Sequence, residues 1–366
     1  MPMNSEQQQQ FFDALAERKT WVLDYLAQDR RKTLFVPEDI HDAVYSYVMA
    51  GGKVLRPCVL YFACGSVGGD ERLATPAAVA VELFHTWTLV HDDIMDRDPL
   101  RRGQPTVHEE FRRRALERPG YTESEAQHYG MSIGMMTGEV QHGWAVSLLS
   151  ELYDRSSDNA EVVLWLIQYL ETEVLLALVG GQTLDIQYTK ASIDTMSEEV
   201  VFDMLWRKTG VLYQFAGMAG AMIGLNIANP KHPKVKAIAD FTGGCGTAFQ
   251  LQDDILGLIG DEATLGKPVG SDIREGKRTV ILCHAFQKAT CVEKQLMLEV
   301  VGNPEASDDK VQHVKQLMIS LGGVEYARVL AEQRIATVMD NLDVLPVSPY
   351  KQYLINWAEY LIGRSF

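Results

Sequence analysis

The chain has little that would suit it to a membrane or to an oxidising compartment. Its 366 residues include five cysteines, an odd number with no CxxC pair, so we expect reduced thiols rather than a disulfide framework. The polar start MPMNSEQQQQFFD lacks the basic and apolar regions of a signal peptide. No uninterrupted apolar run approaches the roughly 20 residues of a membrane span. These absences favour a cytoplasmic protein without a membrane span.

Positive charge is also scarce. Lys and Arg number 34 against 49 Asp and Glu, which gives a formal net charge of −15. A field of that sign repels nucleic acid and anionic membranes, so neither is expected as a partner. An anionic ligand would have to be held by a local basic cluster or through bound metal ions.

Strand-like alternation is almost missing, whereas helical periodicity runs through nearly the whole chain. The chain has 46% hydrophobic residues and no segment that reads as a linker, so the sequence predicts one all-α domain over residues 1–366. The segment 112–127 is interpreted as a surface insertion, and 260–279 as a long charged loop of the kind that often carries function. The predicted helices are 5–30, 37–50, 54–66, 74–97, 127–152, 158–188, 196–225, 232–260, 277–290, 307–320, 322–342 and 348–361.

An apolar helix pattern ends in the acidic segment LVHDDIMDRDPLRRGQ, residues 89–104. Asp92 and Asp96 lie one helical turn apart on the same face. Like charges at that spacing destabilise a helix by about 0.2–0.5 kcal/mol, so they need a counter-charge unless the helix end is simply solvated. Mg²⁺ takes oxygen ligands from one or two carboxylates together with substrate phosphates. The segment therefore predicts a metal site.

A second apolar helix ends in FQLQDDILGLIGDE, residues 249–262, with Asp253 and Asp254. The glycines of the preceding TGGCG weaken a helix, and they serve either close helix packing or room for a ligand. Two acid-tipped helices facing each other would hold metal ions that carry an anionic group such as diphosphate. The apolar helix faces below the acids would then form a cavity for an apolar chain.

Basic residues occur where such a diphosphate would lie. Lys53 and Arg56 in GGKVLRP share a helix face and suit phosphate, although surface side chains with solvated charges look the same in a sequence. Further basic candidates are Arg101, Arg102, Lys208, Lys267 and Lys277. The polar Gln182, near Asp185, is another candidate.

Taken in order, these segments resemble the trans-prenyl diphosphate synthases of the polyprenyl synthetase family. The motifs are GGKVLRP, ELFHTWTLVHDDIMD, RRGQPTVH, GGQTLDI, RKTG and FQLQDDILGLIGDEATLGKPVGSDIREGKRT, which together cover about 50–290. The resemblance implies an all-α, single-domain helical bundle around a central cavity, usually a homodimer. It also implies condensation of an allylic diphosphate with isopentenyl diphosphate, with Mg²⁺, about three ions per site, as cofactor.

The resemblance assigns roles to individual residues. Metal binding falls to Asp92, Asp96 and Asp253, with Asp93, Asp254 and Asp272 in support. The allylic diphosphate falls to Arg101, Lys208 and Lys267, and isopentenyl diphosphate to Lys53, Arg56, His85 and Arg102. Thr209, Gln182 and Gln250 would line the path of the developing cation, and Lys277 is a further diphosphate candidate. Two departures from the family pattern are Gly257 in the second acidic motif and Glu139, to which we assign no role.

Product length in this family depends on the residues just before the first Asp, here Trp87 and Thr88. Thr88 lies about 40° from Asp92 around the helix and is small, so it leaves depth for the chain. Trp87 is bulky enough to stop the chain from the side, although ordinary core packing also accounts for it. The pattern favours geranylgeranyl diphosphate as product, with farnesyl diphosphate as the alternative.

Three other interpretations remain. A terpene cyclase would share the first acidic motif but would not need the second diphosphate grip of GGKVLRP. A His-Asp phosphohydrolase is suggested by His91 beside Asp92, yet adjacent helical residues point about 100° apart. A regulatory subunit of a heteromeric synthase would normally have lost metal or basic residues that are present here.

Overall fold

The computed structural model describes residues 3–155, 159–260 and 270–363, and the predicted all-α class is confirmed. One two-residue hairpin, β1 (Leu100–Arg101) with β2 (Gln104–Pro105), is present among these residues. The helices are α1 Ser5–Gln28, α2 Glu38–Met49, α3 Leu55–Ser66, α4 Thr75–Asp96, α5 Val107–Leu116, α6 Glu123–Ser150, α7 Leu152–Arg155, α8 Ala160–Tyr169, α9 Leu175–Tyr188, α10 Glu198–Leu205, α11 Val211–Leu225, α12 Pro233–Ile259, α13 Ser271–Glu275, α14 Val280–Lys288, α15 Cys291–Val300, α16 Asp308–Ser320, α17 Gly323–Met339 and α18 Pro349–Ile362.

The segment predicted as a surface insertion contains the end of α5 and the start of α6. Charge hides the periodicity of α5, but Val107, Phe111 and Ala115 form a buried stripe at i, i+4 and i+8. Helix α15 was also missed, although Thr290 and Glu293 form a capping box at its start. Both helices are short and polar, which is where periodicity is least informative.

The core is built around α3, α4, α11 and α12. Helix α3 is buried along its whole length, and α11 packs against it and against α12. A Cβ on Gly246 of α12 would lie 2.8 Å from the Tyr213 ring and 3.1 Å from Gly210. The glycines of TGGCG therefore serve close helix packing, and the alternative of ligand room is not needed.

Two π-helical turns lie between consecutive helices of the region from α8 to α11. Leu170–Val174 joins α8 to α9, and Trp206–Gly210 joins α10 to α11. In the second, the Val211 N–H bonds the Trp206 carbonyl, the i→i−5 pattern of a π turn. Such turns are frequent at functional sites, and Lys208 and Thr209 lie within this one.

Two helical stretches are long and apolar enough to cross a membrane by length and composition alone. The most apolar window of Glu71–Asp96 is 72% buried inside the protein, as expected for a core helix. The corresponding window of Ala160–Tyr188 is 39% buried. Leu164, Leu176 and Val179 are exposed along this second stretch. Charged residues such as Glu82 and Glu171 interrupt both stretches, so neither stands out in the sequence as an unbroken apolar run.

The first and last helices meet at a buried ion pair. Arg18 of α1 donates to Glu71 through Nε at 3.1 Å and Nη2 at 2.6 Å. Tyr350 of α18 donates its hydroxyl to the same carboxylate at 3.0 Å. The Arg18 guanidinium also lies 5.0 Å from the ring centroid of Trp21. This cluster joins both ends of the chain to the segment that precedes α4.

Candidate functional site

The first acidic arm is the end of α4, which stops at Asp96 because Arg97 adopts a left-handed conformation, φ 59°. Asp92 Oδ1 lies 3.3 Å from the Lys208 ammonium, and Asp96 Oδ2 lies 3.0 Å from that of Lys277. Burial raises the pKa of Asp96. The two carboxylates predicted to share a face therefore both reach cations that come from other parts of the chain.

Lys208 reaches this arm from the π turn Trp206–Gly210. Helix α9 packs on that turn at Gly181, where a Cβ would lie 2.5 Å from the Lys208 backbone nitrogen. This close approach puts Asp185 of α9 at 2.5 Å from Lys208 Nζ. Burial opposes the charge of Lys208, but Asp92 and Asp185 outweigh it and raise the pKa of the ammonium.

Lys277 connects the first arm to the segment after α12. Its ammonium lies 3.0 Å from Asp96, 2.9 Å from Glu275 and 3.6 Å from Asp272. Burial acts against the charge, yet Asp272 and Asp96 keep the pKa of Lys277 well above its usual value. Two ammonium groups thus lie among carboxylates where the sequence predicted cations to bind.

The second acidic arm is the end of α12. Thr209 donates its hydroxyl to Gln250 Oε1 at 2.7 Å, and Gln250 Nε2 donates to Asp254 Oδ1 at 3.0 Å. Burial raises the pKa of Asp254 to about 8. Thr209 and Gln250, both assigned by the resemblance to the path of the cation, are therefore in contact. Asp253 precedes Asp254 on the same helix.

Asp93 is placed differently from its predicted metal support. Its side chain is fully buried, and Arg101 Nε donates to its two carboxylate oxygens at 2.9 and 2.8 Å. The Tyr47 hydroxyl also donates to it. Arg101 was expected to serve a substrate diphosphate more than the aspartates, yet here it pairs with Asp93. Its Nη2 lies 3.8 Å from Asp92 Oδ2, so the pair stays beside the first arm.

A cavity of about 320 Å³ lies next to Arg101 between α2, α4, α5 and the hairpin. It is lined in part by Glu82, His85 and Arg102. Burial, together with Arg56 and Arg102, holds the pKa of His85 well below its usual value, so the imidazole is neutral. Burial raises the pKa of Glu82. His85 and Arg102, which the resemblance assigns to isopentenyl diphosphate, therefore line one cavity.

Arg56 lies on the buried face of α3. Its guanidinium stacks 4.4 Å from the ring centroid of Tyr213, and its Nε has no hydrogen-bond partner among the described residues. A buried guanidinium with an unpaired N–H favours an anionic ligand. Lys53 is exposed in the loop before α3, which Gly51 (φ 77°) and Val54 (φ 51°) turn through left-handed conformations.

The residues predicted to set product length lie on two faces of α4. Trp87 packs against α6, with its ring centroid 5.4 Å from that of His142, and it also lies 4.9 Å from that of Phe84. His142 in turn contacts Glu171 at 2.9 Å. Thr88 donates its hydroxyl to the His85 carbonyl within the helix. Trp87 thus forms part of the contact between α4 and α6.

The remaining candidates are mixed. Gln182 Nε2 lies 3.7 Å from the Met95 sulfur at the end of the first arm. His91 lies 3.2 Å from the Met135 carbonyl on α6 and faces away from the acidic arms, so it does not pair with Asp92 as a His-Asp hydrolase site would require. Lys267 lies outside the described residues.

The arrangement suits divalent cations that are completed by a ligand. Among the described residues no group of three or more His, Cys, Asp or Glu side chains forms a closed metal cage. Mg²⁺ does not require one, because it commonly takes one or two carboxylates and fills the rest with water and substrate phosphate oxygens. The ammonium groups of Lys208 and Lys277 show that positions between these carboxylates favour positive charge. The oxygen donors therefore fit Mg²⁺.

Sequence reasoning missed three residues of this region: Tyr47, Glu82 and Glu275. Glu82 could have been found from the sequence, because it precedes His85 by three positions on the same helix face. Glu275 could also have been found, because it lies two residues before Lys277 and its carboxylate is 2.9 Å from that ammonium. Tyr47 carries no such signal, because its contact with Asp93 joins elements that only folding brings together.

The chain is similar to known proteins along most of its length. The family description Polyprenyl synthetase matches residues 38–318. A geranylgeranyl diphosphate synthase of Methanosarcina mazei is 33% identical, with 90% of this chain and 91% of that protein covered. The crystal structure of geranylgeranyl pyrophosphate synthetase from Pyrococcus horikoshii has 30% identity and a TM-score of 0.77, covering 98% and 99% of the two chains. A Corynebacterium glutamicum geranylgeranyl pyrophosphate synthase, complexed with isoprenyl diphosphate and magnesium, has 26% identity and a TM-score of 0.80, covering 97% and 99%.

Proposed function

Because the chain belongs to the polyprenyl synthetase family and is a trans-prenyltransferase, we propose that it condenses isopentenyl diphosphate with an allylic diphosphate to give geranylgeranyl diphosphate. One observation carries the assignment. Lys208 and Lys277 lie between carboxylates from three segments of the chain. Such a mixture of fixed anions and cations suits a metal-bound diphosphate.

Mg²⁺ is the proposed cofactor, with about three ions per site. Asp92 and Asp96 on the first arm, Asp253 on the second arm and Asp272 on α13 would hold it. When bound, Mg²⁺ neutralises the diphosphate and makes it a better leaving group. A magnesium-containing Corynebacterium homologue supports this choice of ion. Asp93 is removed from the ligand set because Arg101 and Tyr47 occupy its carboxylate.

The cations are assigned by the half-site in which they lie. Lys208 and Lys277 face the first acidic arm and would bind the allylic diphosphate, with Arg101 beside them. Arg56, His85 and Arg102 would bind isopentenyl diphosphate, together with Lys53. The neutral His85 would donate a hydrogen bond to a phosphate oxygen, and Arg56 would supply charge and its unpaired Nε–H.

The reaction needs no side-chain nucleophile. The allylic C–O bond breaks, and Lys208 and its neighbours stabilise the charge on the departing diphosphate. The isopentenyl double bond attacks the allylic cation and forms the new C–C bond. The resulting cation loses a proton to the released diphosphate. Thr209 and Gln250 line the path, and their oxygen dipoles stabilise the cation between the two half-sites.

Product analysis tests the proposal directly. The purified chain is incubated with Mg²⁺, labelled isopentenyl diphosphate and, in turn, each short allylic diphosphate. We expect incorporation into geranylgeranyl diphosphate and its loss after chelation of the metal. Farnesyl diphosphate as the end product would refute the chain length alone. Diphosphate release without isopentenyl diphosphate would refute condensation and indicate a cyclase.

We expect Trp87→Ala to lengthen the product by one or more isoprene units. Removing the indole opens space against His142 and Phe84 at the contact of α4 with α6, where the growing chain would continue. Reversed-phase chromatography of the dephosphorylated products measures the change. Trp21→Ala, which removes the same side chain from α1, is the control and should leave the distribution unaltered. An unchanged distribution for Trp87→Ala would exclude this residue as the stop.

We also propose that the enzyme works as a homodimer in the cytoplasm. Exposed apolar side chains along α6, α8 and α9 support a second copy as the partner, since large apolar patches usually mark interfaces. They are Met131, Met135, Met136, Leu164, Leu176 and Val179. Five cysteines without a disulfide among the described residues suit a reducing compartment.

Leu176→Glu is expected to convert the dimer to a monomer, because it places a charge at the centre of this face, where Leu176 is 65% exposed. Analytical ultracentrifugation measures the mass. The control is Val292→Glu, an equally drastic change at an exposed residue of α15. A wild-type chain that sediments as a monomer, or a Leu176→Glu variant that remains dimeric, would contradict the assignment.

A further inference from the structure

We propose that Tyr47 is a positioning residue for the allylic half-site: its hydroxyl fixes the Asp93 carboxylate, which in turn orients Arg101 beside Asp92. The inference rests on the proposed function and adds a residue outside the family motifs quoted above. Tyr47 lies on α2, whereas Asp93 and Arg101 lie 46 and 54 residues later in the chain. The contact is therefore a property of the fold.

The hydroxyl of Tyr47 makes two hydrogen bonds, one as donor and one as acceptor. It donates to Asp93 Oδ2 and accepts from the backbone N–H of Val107 at 3.2 Å. Burial and the neighbouring Asp93 raise the pKa of Tyr47, so the hydroxyl keeps its proton and remains a donor. Asp93 receives Arg101 on its other side, with two N–H donors on one carboxylate. An Arg that donates two N–H bonds to one carboxylate has little freedom to rotate.

The helix that carries Tyr47 is itself held by ion pairs nearer its start. Arg114 of α5 contacts Asp42 at 2.8 Å, and Arg118 contacts Asp39 at 2.8 Å. Tyr129 of α6 also donates to Asp39. These contacts hold α2 against α5 and α6. Since Lys53 follows α2 by only a short loop, Tyr47 links the two diphosphate half-sites through one helix.

Tyr47→Phe tests the inference with a matched control on the same helix. Tyr45 also has a buried hydroxyl, but that hydroxyl has no hydrogen-bond partner among the described residues. Tyr47→Phe should raise KM for the allylic diphosphate about tenfold, the effect of one hydrogen bond to a charged group. Tyr47 also lines the cavity assigned to isopentenyl diphosphate. Because Tyr47→Phe keeps the ring and removes only the hydroxyl bonded to Asp93, KM for isopentenyl diphosphate should change less than about twofold. Tyr45→Phe should change neither KM by more than that. Thermal melting confirms that both variants are folded.

A double-mutant cycle separates positioning from a structural effect. In an Asp93→Asn background, Tyr47→Phe should add less than about a twofold change, because the two residues act in series. A Tyr47→Phe enzyme that matches Tyr45→Phe, or that weakens both substrates equally, would overturn the inference. So would a full effect that persists in Asp93→Asn. If the wild-type chain does not condense the substrates, the proposed function fails. Calorimetric binding of inorganic diphosphate with Mg²⁺ then still tests the role of Tyr47. About tenfold weaker binding by Tyr47→Phe would support that role, and unchanged binding would refute it.

Discussion

Replacing Asp92 by Asn is expected to lower kcat/KM for condensation by about 10²–10³-fold, the usual cost of losing a fixed electrostatic contact in a catalytic site. The change removes a negative charge that faces both Lys208, at 3.3 Å, and Arg101, at 3.8 Å. Metal affinity should fall with it, so raising the Mg²⁺ concentration should recover part of the activity. Incorporation of labelled isopentenyl diphosphate over a Mg²⁺ series measures both effects.

Asp240→Asn is the matched control for Asp92→Asn. Asp240 is an aspartate on helix α12, but it is partly exposed and pairs with Lys236 one turn away. Exposed pairs of this kind contribute little, so the activity should stay within about twofold of wild type. If Asp92→Asn retained activity comparable to Asp240→Asn at the same Mg²⁺ concentration, Asp92 would not be a metal ligand.

Replacing Glu71 by Ala is expected to lower the free energy of unfolding by about 3–5 kcal/mol, because it removes the buried counter-ion of the Arg18 guanidinium. Both side chains of this pair are 8% exposed. The hydroxyl of Tyr350 loses its acceptor at the same time. Denaturant unfolding followed by circular dichroism measures the loss. Activity at low temperature should remain, since the pair lies away from the acidic arms.

Glu17 provides the control for this pair, because it contacts the same Arg18 at 2.9 Å but is 54% exposed. Glu17→Ala should cost no more than about 1 kcal/mol. The double change Arg18→Met with Glu71→Leu should recover much of the stability, since an apolar pair needs no compensation for buried charge. Equal destabilisation by Glu17→Ala and Glu71→Ala would show that burial does not set the value of the pair.

The helices that form the bundle follow from periodicity, because each long helix buries one apolar face. Helix α4 was expected at 74–97 and extends over Thr75–Asp96, and α12 was expected at 232–260 and extends over Pro233–Ile259. The sequence does not show that α9 and α10 each adjoin a π turn. Such a turn changes hydrogen bonding without changing the composition, so an apolar pattern passes through it unaltered.

The candidate site divides in the same way. Residue type and spacing predict that Asp92 and Asp96 seek cations, and the structure places Lys208 and Lys277 beside them. Spacing cannot tell which carboxylate of a pair faces the cavity. Asp93 neighbours Asp92 in the chain, yet it points to α2 because adjacent helical residues diverge by about 100°. Its partner Tyr47 becomes visible only when α2 is packed in place.

The π turn at Trp206–Gly210 has a consequence for the history of the sequence. A π turn holds one residue more than the α-helical turn it replaces, so every face after it is rotated by about 100° relative to an uninterrupted helix. The turn therefore acts as a one-residue insertion that the helix has absorbed. Deleting a residue here would restore regular hydrogen bonding but would shift α11 out of register with α3 and α12. The irregular backbone beneath Lys208 is thus maintained by the packing of the whole bundle.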